Sequence, residues 1–327
     1  MDSNKYNAKV TREQVRNAYV FLLGREPESE MAYQVHLHLS NVFELRSSIL
    51  ASDEYRSRLR SIVSAYQRDA VVFIHLEKTG GTTLHKVLAF NYPETCVSPP
   101  HYSYINIFHT NDSAYDYYSG HFDYETASSV PRAKLKLISM LRDPKARLIS
   151  QYRFWRSHPV NGTVDNTHQH VLAKELGPQE FFAHPAVRML PMIDNYYFRV
   201  FGSSLKGLFT QLTSEEETKT LDIAMGRICR LDGLGITDRM TESVELICRS
   251  LGFPVPSGFQ SVHKTDDLPA GNPNFVKVDP VELTPALLDV LGDLTRWDDI
   301  LFAAAAEEFD RRLAEENPIR PCQGNED

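Results

Sequence analysis

The 327-residue chain has few cysteines: four, at Cys96, Cys229, Cys248 and Cys322, with no C-x-x-C pair among them. Scattered thiols of this kind favour neither a disulfide scaffold nor a zinc site. Apolar runs are also short: none approaches the ~18 residues of a membrane-spanning helix, and the first residues lack the apolar stretch of a secretory signal. We therefore expect a cytoplasmic protein with no transmembrane segment and no metal cofactor.

Basic residues are outnumbered, because 35 Lys and Arg against 43 Asp and Glu give a formal net charge of −8. A protein that coats nucleic acid would carry a basic excess, so this class is disfavoured. The charge is nevertheless uneven. Residues 132–156 contain one acidic residue, Asp143, and the basic residues Arg132, Lys134, Lys136, Arg142, Lys145, Arg147, Arg153 and Arg156. This segment predicts a local site for a small polyanion in an otherwise acidic protein.

Residues 11–66 have the apolar spacing of short helices. Thr11 and Gln14 form a capping-box pattern, and apolar residues recur at i, i+3, i+4, i+7 and i+8 from Val15 onward, which defines one helical face. Shortly after this segment, the helical spacing of apolar residues gives way to a continuous apolar run. We therefore expect a small all-α domain at residues 1–67.

A strand, a loop and a helix then occur twice. A continuous apolar run from Val71 to Leu76 is typical of a buried parallel strand, and a helical segment follows it at 84–90. The second unit has a strand at 134–141 and a helix at 145–155. This alternation indicates an α/β core with a parallel sheet.

Helical patterns dominate the rest of the chain. They are predicted at 178–184, 187–201, 214–227, 240–251, 284–291 and 297–316. The second domain is therefore expected to cover residues 68–320, followed by an acidic tail at 321–327.

The segment from Glu77 to Thr83 (EKTGGTT) lies between the first strand and its helix. Glycines there allow backbone N–H groups to turn toward an anion, and the helix N-terminus adds the positive end of its dipole. Lys78 adds a full charge, and Thr82 and Thr83 add hydroxyl donors. Such a loop suits a phosphate or a sulfate. It is not a Walker A loop, because the lysine precedes both glycines.

A second anion-binding pattern follows the second strand. Arg142 leaves the carboxyl end of that strand, and Ser150 lies about two turns into the next helix. Ligands of open α/β sheets bind outside the carboxyl ends of the strands. We therefore expect Arg142 and the first loop to hold one ligand at two points, which indicates a nucleotide with phosphates at two positions.

These residues resemble those of a known family. FIHLEKTGGTTL resembles the 5′-phosphosulfate loop of sulfotransferases that use PAPS (3′-phosphoadenosine 5′-phosphosulfate), and LRDPKARLISQY resembles their 3′-phosphate motif. Gly120-His121-Phe122 is similar to the Gly-His element of the carbohydrate O-sulfotransferases, which include the heparan and chondroitin enzymes. DNYYFRVFG at 194–202 and the segment at 234–253 are similar to the same branch. The resemblance covers about residues 70–315.

What the resemblance implies is a P-loop-like α/β fold with a central parallel sheet flanked by helices. It also implies an enzyme that moves a sulfuryl group from PAPS to a hydroxyl of a carbohydrate or glycolipid, with no nucleic-acid polymer as partner. Lys78 would stabilise charge on the oxygen that leaves sulfur. The 5′-phosphosulfate would be held by Thr79, Gly80, Gly81, Thr82 and Thr83, and the 3′-phosphate by Arg142 and Ser150. Lys264, in a Gly/Pro-rich loop at 254–273, is expected to close over the nucleotide.

The reaction also needs a base for the acceptor hydroxyl. Histidine titrates near neutral pH and suits this task, so His121 is the preferred candidate, with His85 and Glu77 as alternatives. Glu77 is a departure from the resemblance, because the family usually has proline before the loop lysine.

The N-terminal segments FLLGREPESEMAYQVHL and SSILASDEYRSRL resemble a bacterial helical module similar to phycobilisome-linker repeats. This resemblance does not assign a role to the module, and binding of a protein partner is one candidate. Two alternative functions also stay open: a P-loop kinase that uses ATP, and a binding or scaffolding protein whose nucleotide site is idle. The missing Walker A order counts against the first. The presence of Lys78, Arg142 and Ser150 counts against the second.

Overall fold

The computed structural model describes residues 9–58, 69–99, 115–130, 132–158, 168–202, 213–258 and 275–316. The chain separates into two compact units. One contains Met1–Asp69, Asn106–Tyr115 and Pro131–Lys134, and the other contains Ala70–Ile105, Asp116–Val130 and Leu135–Asp327. The domain bounds expected from the sequence, at residues 67 and 320, stay a prediction, and the acidic tail at 321–327 lies outside the described residues.

Residues 9–58 of the first unit form only helices and turns. The helices are α1 (Arg12–Ala18), which continues as a π-helical turn (Tyr19–Leu23), α2 (Glu30–Leu37), α3 (Val42–Leu50) and a segment at 53–58. The capping box is confirmed, since the Thr11 side chain accepts a hydrogen bond from Gln14 N and the Gln14 side chain accepts one from Thr11 N. Val15, Leu45 and Ile49 form the buried core of these helices. The all-α character expected here is confirmed.

A four-stranded parallel sheet forms the centre of the second unit. Its strands are β1 (Ala70–Ile74), β2 (Tyr117–Gly120), β3 (Leu135–Leu141) and β4 (Gly233–Ile236), in the spatial order β2-β1-β3-β4. Every residue of β1 is buried, as its continuous apolar run predicts. The expected α/β class with a central parallel sheet is confirmed.

Helices cover this sheet. They are α4 (Gly81–Ala89), α5 (Tyr124–Ser128), α6 (Pro144–Ser157), α7 (His168–Glu175), α8 (Pro178–Ala183), α9 (Pro185–Arg188), α10 (Tyr196–Gly202), α11 (Ser214–Cys229), α12 (Met240–Leu251) and α13 (Pro285–Glu316). On one face, Leu84 of α4 and Ile247 of α12 pack against Phe73 and Ile138 of the strands. Helix α5 contacts β1 and β3, and α13 contacts β4. A second hydrophobic core is formed by residues of α6, α7, α8, α9 and α13.

The parallel register fixes where the loops emerge. Ile74, the last residue of β1, lies opposite Gly120 at the end of β2 and opposite Ser139 in β3. In the next pair, Leu141 at the end of β3 lies opposite Ile236 at the end of β4. The segments that follow all four strands therefore begin at one edge of the sheet, where ligands of such sheets bind.

Two helix predictions differ from the structure around Asn195. The helix expected at 187–201 is divided into α9, which ends at Arg188, and α10, which begins at Tyr196; Asn195, directly before α10, lies in the left-handed region with φ +48°. Its backbone N donates to Leu294 O at 2.8 Å, and its side-chain oxygen accepts from Trp297 N at 2.8 Å. The two helices expected at 284–291 and 297–316 are one 32-residue helix, α13. The contacts of Asn195 lie at the break that the sequence predicted there.

The scarcity of cysteine and of long apolar runs can be compared with the structure. Cys96, Cys229 and Cys248 are free thiols, while Cys322 lies outside the described residues. Among the helices in the described ranges, none is long and apolar enough to cross a membrane. Within those same ranges, no three His, Cys, Asp or Glu side chains group as metal ligands.

One buried serine connects β4 to α12 and makes the fold testable. The Ser243 hydroxyl accepts from Ile236 N at 2.8 Å and donates to Ile236 O at 2.9 Å. Ser243→Ala would leave both backbone groups without this partner, so we expect the free energy of unfolding to fall by about 1–3 kcal/mol. Urea denaturation measures this loss. Ser250→Ala, at an exposed position of the same helix, is the control and should change stability by less than about 0.5 kcal/mol; equal effects of the two variants would contradict the prediction.

Candidate active site

The loop between β1 and α4 has two residues in the left-handed region of backbone conformation. Lys78 has φ +64° and Gly80 has φ +75°. Glycine adopts this conformation without strain, whereas a lysine does so at an energetic cost that is usually found at functional sites. At Gly80 a side chain would also meet Met240 Cε at 2.6 Å. At Lys78 the loop therefore has a backbone conformation that a lysine does not favour by itself.

Thr79 and Thr237 fix this loop to the sheet. The buried Thr79 hydroxyl donates to Leu76 O at 2.8 Å. The Thr237 hydroxyl, directly after β4, lies 2.7 Å from Thr79 O and 3.0 Å from Leu141 O at the end of β3. The side chain of Thr79, a residue expected to hold the 5′-phosphosulfate, is thus part of the internal structure of the loop.

Gly81 provides the space for a histidine ring under the loop. A Cβ atom at Gly81 would lie 2.1 Å from His75 Cδ2. The His75 ring stacks on Phe73 with centroids 5.1 Å apart. The pKa of His75 is lowered to about 3, mainly by burial, and the neighbouring His121, His85 and Lys78 contribute to this lowering. His75 is therefore a neutral packing residue of the site.

Helix α4 begins at the loop and presents its N-terminus there. Gly80 is the N-cap, and Thr83 N donates back to Gly80 O at 3.0 Å. The other amide groups of the first turn, those of Gly81 and Thr82, have no acceptor within the helix, as in every α-helix. Thr82 is half-buried beside them. This geometry suits an anion that accepts backbone hydrogen bonds.

Lys78 is a half-buried cation at the same loop. The pKa of Lys78 is lowered from the usual 10.5 to about 8, mainly by burial; the carboxylate of Glu77 opposes this lowering, and the nearby charge of Arg142 adds to it. Its Nζ atom lies 3.9 Å from the centre of the Phe154 ring, a cation–π contact. At neutral pH the ammonium is therefore still the main form, although partial burial makes the charged form less favourable than it is in water.

Arg142 connects the end of β3 to the loop. Its Nη1 donates to Lys78 O at 3.4 Å. The Tyr197 hydroxyl fixes its backbone, because it donates to Arg142 O at 2.7 Å and accepts from Arg142 N at 3.1 Å. The Nε atom of Arg142 is buried and has no hydrogen-bond partner among the described residues, which leaves a donor for a ligand. Ser150 is half-buried on α6, and Lys264 lies outside the described residues.

Most of the other basic residues of 132–156 have structural contacts instead. Their partners are backbone carbonyls or a carboxylate: Arg132 with Tyr115 O, Lys136 with Ser250 O, Lys145 with Asp299, Arg147 with Met192 O, Arg153 with Val278 O, and Arg156 with Ala173 O. The segment is thus not one cationic surface. Arg142 and the neighbouring loop residues therefore remain the candidates for the expected polyanion site.

His121 and Glu77 form a pair at the same edge of the sheet. His121 follows β2, Glu77 follows β1, and His121 Nδ1 lies 3.2 Å from Glu77 Oε1. Burial acts to raise the pKa of Glu77, but the hydrogen bond and charge of His121, with the charges of Arg147 and Lys78, lower it overall. Glu77 is therefore ionised near neutral pH. The sequence did not indicate this pair, although adjacency of parallel β1 and β2 would have suggested it.

His85 lies away from this pair. Its Nδ1 is 3.3 Å from the Tyr117 hydroxyl, and the two rings stack with centroids 5.6 Å apart. Tyr117 is the first residue of β2, whereas His121 follows the last. Burial lowers the pKa of His85, and the charge of Lys86 adds to this effect. Its contacts place it toward the amino end of β2.

Comparison with known proteins adds one finding. The family model described as "Sulfotransferase domain" matches residues 63–270. This range contains the loop, Arg142, the Glu77–His121 pair and Lys264. No curated protein matches the chain.

Because burial penalises the ammonium of Lys78, removing this charge is predicted to stabilise the folded protein. Below about pH 8 the ammonium is present in the folded and the unfolded chain, and burial penalises only the folded one; above pH 10.5 the amine is neutral in both. Lys78→Met should therefore raise the free energy of unfolding by roughly 1–3 kcal/mol at neutral pH. This gain should shrink as the pH rises from 8 to 10.5.

Urea denaturation over this pH range measures the effect. The matched control is Lys86→Met, at an exposed position of α4, which should show no gain with this pH dependence. A Lys78→Met protein that is no more stable than the wild type at neutral pH would contradict the assigned burial cost.

Proposed function

The chain belongs to the sulfotransferase domain family, and we propose that it transfers a sulfuryl group from PAPS to a hydroxyl of a carbohydrate or glycolipid. Sulfuryl transfer follows from family membership. The donor is supported by one observation above the others: Arg142 donates to the backbone of Lys78, so the two anion-binding segments lie together. The acceptor class rests on the resemblance of Gly120-His121-Phe122 to the carbohydrate branch.

The residues present fit a nucleotide with a 5′-phosphosulfate and a 3′-phosphate. The 5′ group would accept from the first-turn amides of α4 and from Thr82 and Lys78. The 3′-phosphate would accept from Arg142, whose Nε atom is buried without a partner among the described residues, and from Ser150. Lys264 is proposed as a further contact to the nucleotide.

The proposed transfer is in line. A bond forms between the acceptor oxygen and sulfur, while the bond between sulfur and the bridging oxygen of the 5′-phosphate breaks. That oxygen keeps the electron pair, and the charge of Lys78 stabilises it in an environment with little water. The acceptor hydroxyl gives its proton to His121 as general base. Positioning of the reacting atoms also contributes to such catalysis, and the loop, fixed by Thr79 and Thr237, supports that positioning.

His121 is the better base among the three candidates. His85 contacts Tyr117 at the other end of β2, and Glu77 is already ionised and paired with His121. An imidazole can take the acceptor proton, and a neighbouring carboxylate stabilises the imidazolium that forms by a charge-assisted hydrogen bond.

Nucleotide binding tests the donor. We expect the wild type to bind PAP (3′-phosphoadenosine 5′-phosphate) more tightly than AMP, and Arg142→Ala to weaken PAP binding by about 10- to 100-fold while AMP binding changes little, because one charged hydrogen bond is worth about 1.5–3 kcal/mol. Isothermal titration calorimetry measures both. Lys86→Ala, at an exposed position of α4, is the control. Tight binding of ATP with none of PAP would overturn the proposal in favour of a kinase.

Turnover tests the base. His121→Ala should lower kcat by about 10²- to 10⁴-fold, the usual contribution of a general base, and leave PAP affinity unchanged. Transfer of ³⁵S from labelled PAPS to a panel of glycans and glycolipids measures this and identifies the acceptor. Unchanged turnover in His121→Ala would remove His121 as the base. PAP binding without transfer to any acceptor of the panel would count against the proposed acceptor class.

A further inference from the structure

We infer that Glu77 is a positioning residue that sets the tautomer and orientation of His121. This inference rests on the proposed function for its catalytic consequence, but the arrangement itself is a property of the folded chain. The observation is the pair after β1 and β2: His121 Nδ1 lies 3.2 Å from Glu77 Oε1, and the two side chains are only 13% and 18% exposed.

The chemistry of the two groups fixes the proton between them. An ionised carboxylate can only accept a hydrogen bond, so the Nδ1 atom that faces it must carry a proton. In the neutral ring Nε2 then carries the lone pair. This is the tautomer that a general base needs if it takes the acceptor proton at Nε2. The opposite tautomer would place the Nδ1 lone pair against the negative oxygen, which is unfavourable.

The ring of His121 is held from a second side. It forms a T-shaped contact with the ring of His75, with centroids 5.3 Å apart and an interplanar angle of 75°. His75 is itself fixed between Phe73 and the space that Gly81 leaves. Rotation of the His121 ring is therefore limited by its hydrogen bond to Glu77 and by its contact with His75.

Charge around the pair favours the same assignment. Lys78 and Arg147 both contribute positive charge at Glu77, and His75 is neutral at the pH of activity. Glu77 is therefore available as a carboxylate when His121 takes the acceptor proton at Nε2. The proton on Nδ1 stays with the ring, Glu77 remains ionised, and the imidazolium gains a charge-assisted hydrogen bond.

Histidine tautomers can be measured without any substrate. In ¹⁵N-histidine-labelled protein at about pH 9, where an ordinary imidazole is neutral, we expect His121 to carry its proton on Nδ1. In Glu77→Gln the ring should move toward the Nε2–H form, because the Gln side-chain NH₂ group can donate to Nδ1. His121→Asn assigns the signal, and Glu94→Gln, an exposed carboxylate of the same unit, should change nothing. A wild-type ring protonated on Nε2, or a tautomer that ignores Glu77→Gln, would overturn the inference.

Kinetics give the second readout. Glu77→Gln should lower kcat by about 10- to 100-fold, a part of what the base contributes, with PAP affinity unchanged. Adding Glu77→Gln to His121→Asn should cost almost nothing more, because Glu77 acts through His121. Glu77→Asp keeps the charge and should restore part of the rate. Additive losses in the double variant would contradict a positioning role.

The influence of Glu77 on Lys78 can be separated from this effect. Glu77 also holds up the pKa of Lys78, so its loss could lower activity at alkaline pH through Lys78. The loss assigned here should persist as the pH is lowered, because acid keeps Lys78 charged even without the carboxylate of Glu77 that raises its pKa; a loss confined to alkaline pH would assign Glu77 to Lys78 instead. If the protein transfers no sulfuryl group at all, the proposed function fails, while the tautomer measurement still decides the inference.

Discussion

The parallel pairing of β1 with β2 and β3 is the constraint on which the site depends. Because Ile74 lies opposite Gly120 and near the end of β3, three segments distant in sequence emerge side by side. The segment after β1 brings a cation and backbone amides, the segment after β2 an imidazole, and the segment after β3 a guanidinium. Thr237, after β4, then fixes the first loop to the end of β3 by its hydroxyl. The side chains themselves supply the chemistry, but the backbone register makes them neighbours.

The site is assembled against local preferences. Lys78 has a left-handed backbone that a non-glycine residue disfavours, and its half-buried charge has a lowered pKa. Arg142 holds a buried nitrogen without a partner among the described residues. Such features persist only where the surrounding structure over-determines them, which here means the contacts of Thr79, Thr237 and Tyr197. A polyanion bound at this edge would relieve the repulsion between Lys78 and Arg142, so binding and local stability are coupled.

The sequence predicts those parts of the structure that depend on short-range patterns. The buried run of β1, the loop with Gly80 and Gly81, and Arg142 after the second strand all follow from residues close together in the chain. The Glu77–His121 pair could not be found in this way, since it depends on which strands are neighbours. The same holds for α13, where Asn195, far away in sequence, bonds to the helix at the expected break. Charge counting was misleading around 132–156, because most of those cations bind carbonyl oxygens of the fold.

His75 and Gly81 share one volume under the loop. The His75 ring occupies the space that any side chain at position 81 would need, and it also contacts the ring of His121. A larger residue at 81 can therefore be accommodated only together with a smaller one at 75. That exchange would remove the ring that contacts His121 of the Glu77–His121 pair. Covariation of these two positions across natural relatives would thus separate chains that keep the His121 arrangement from chains that have lost it.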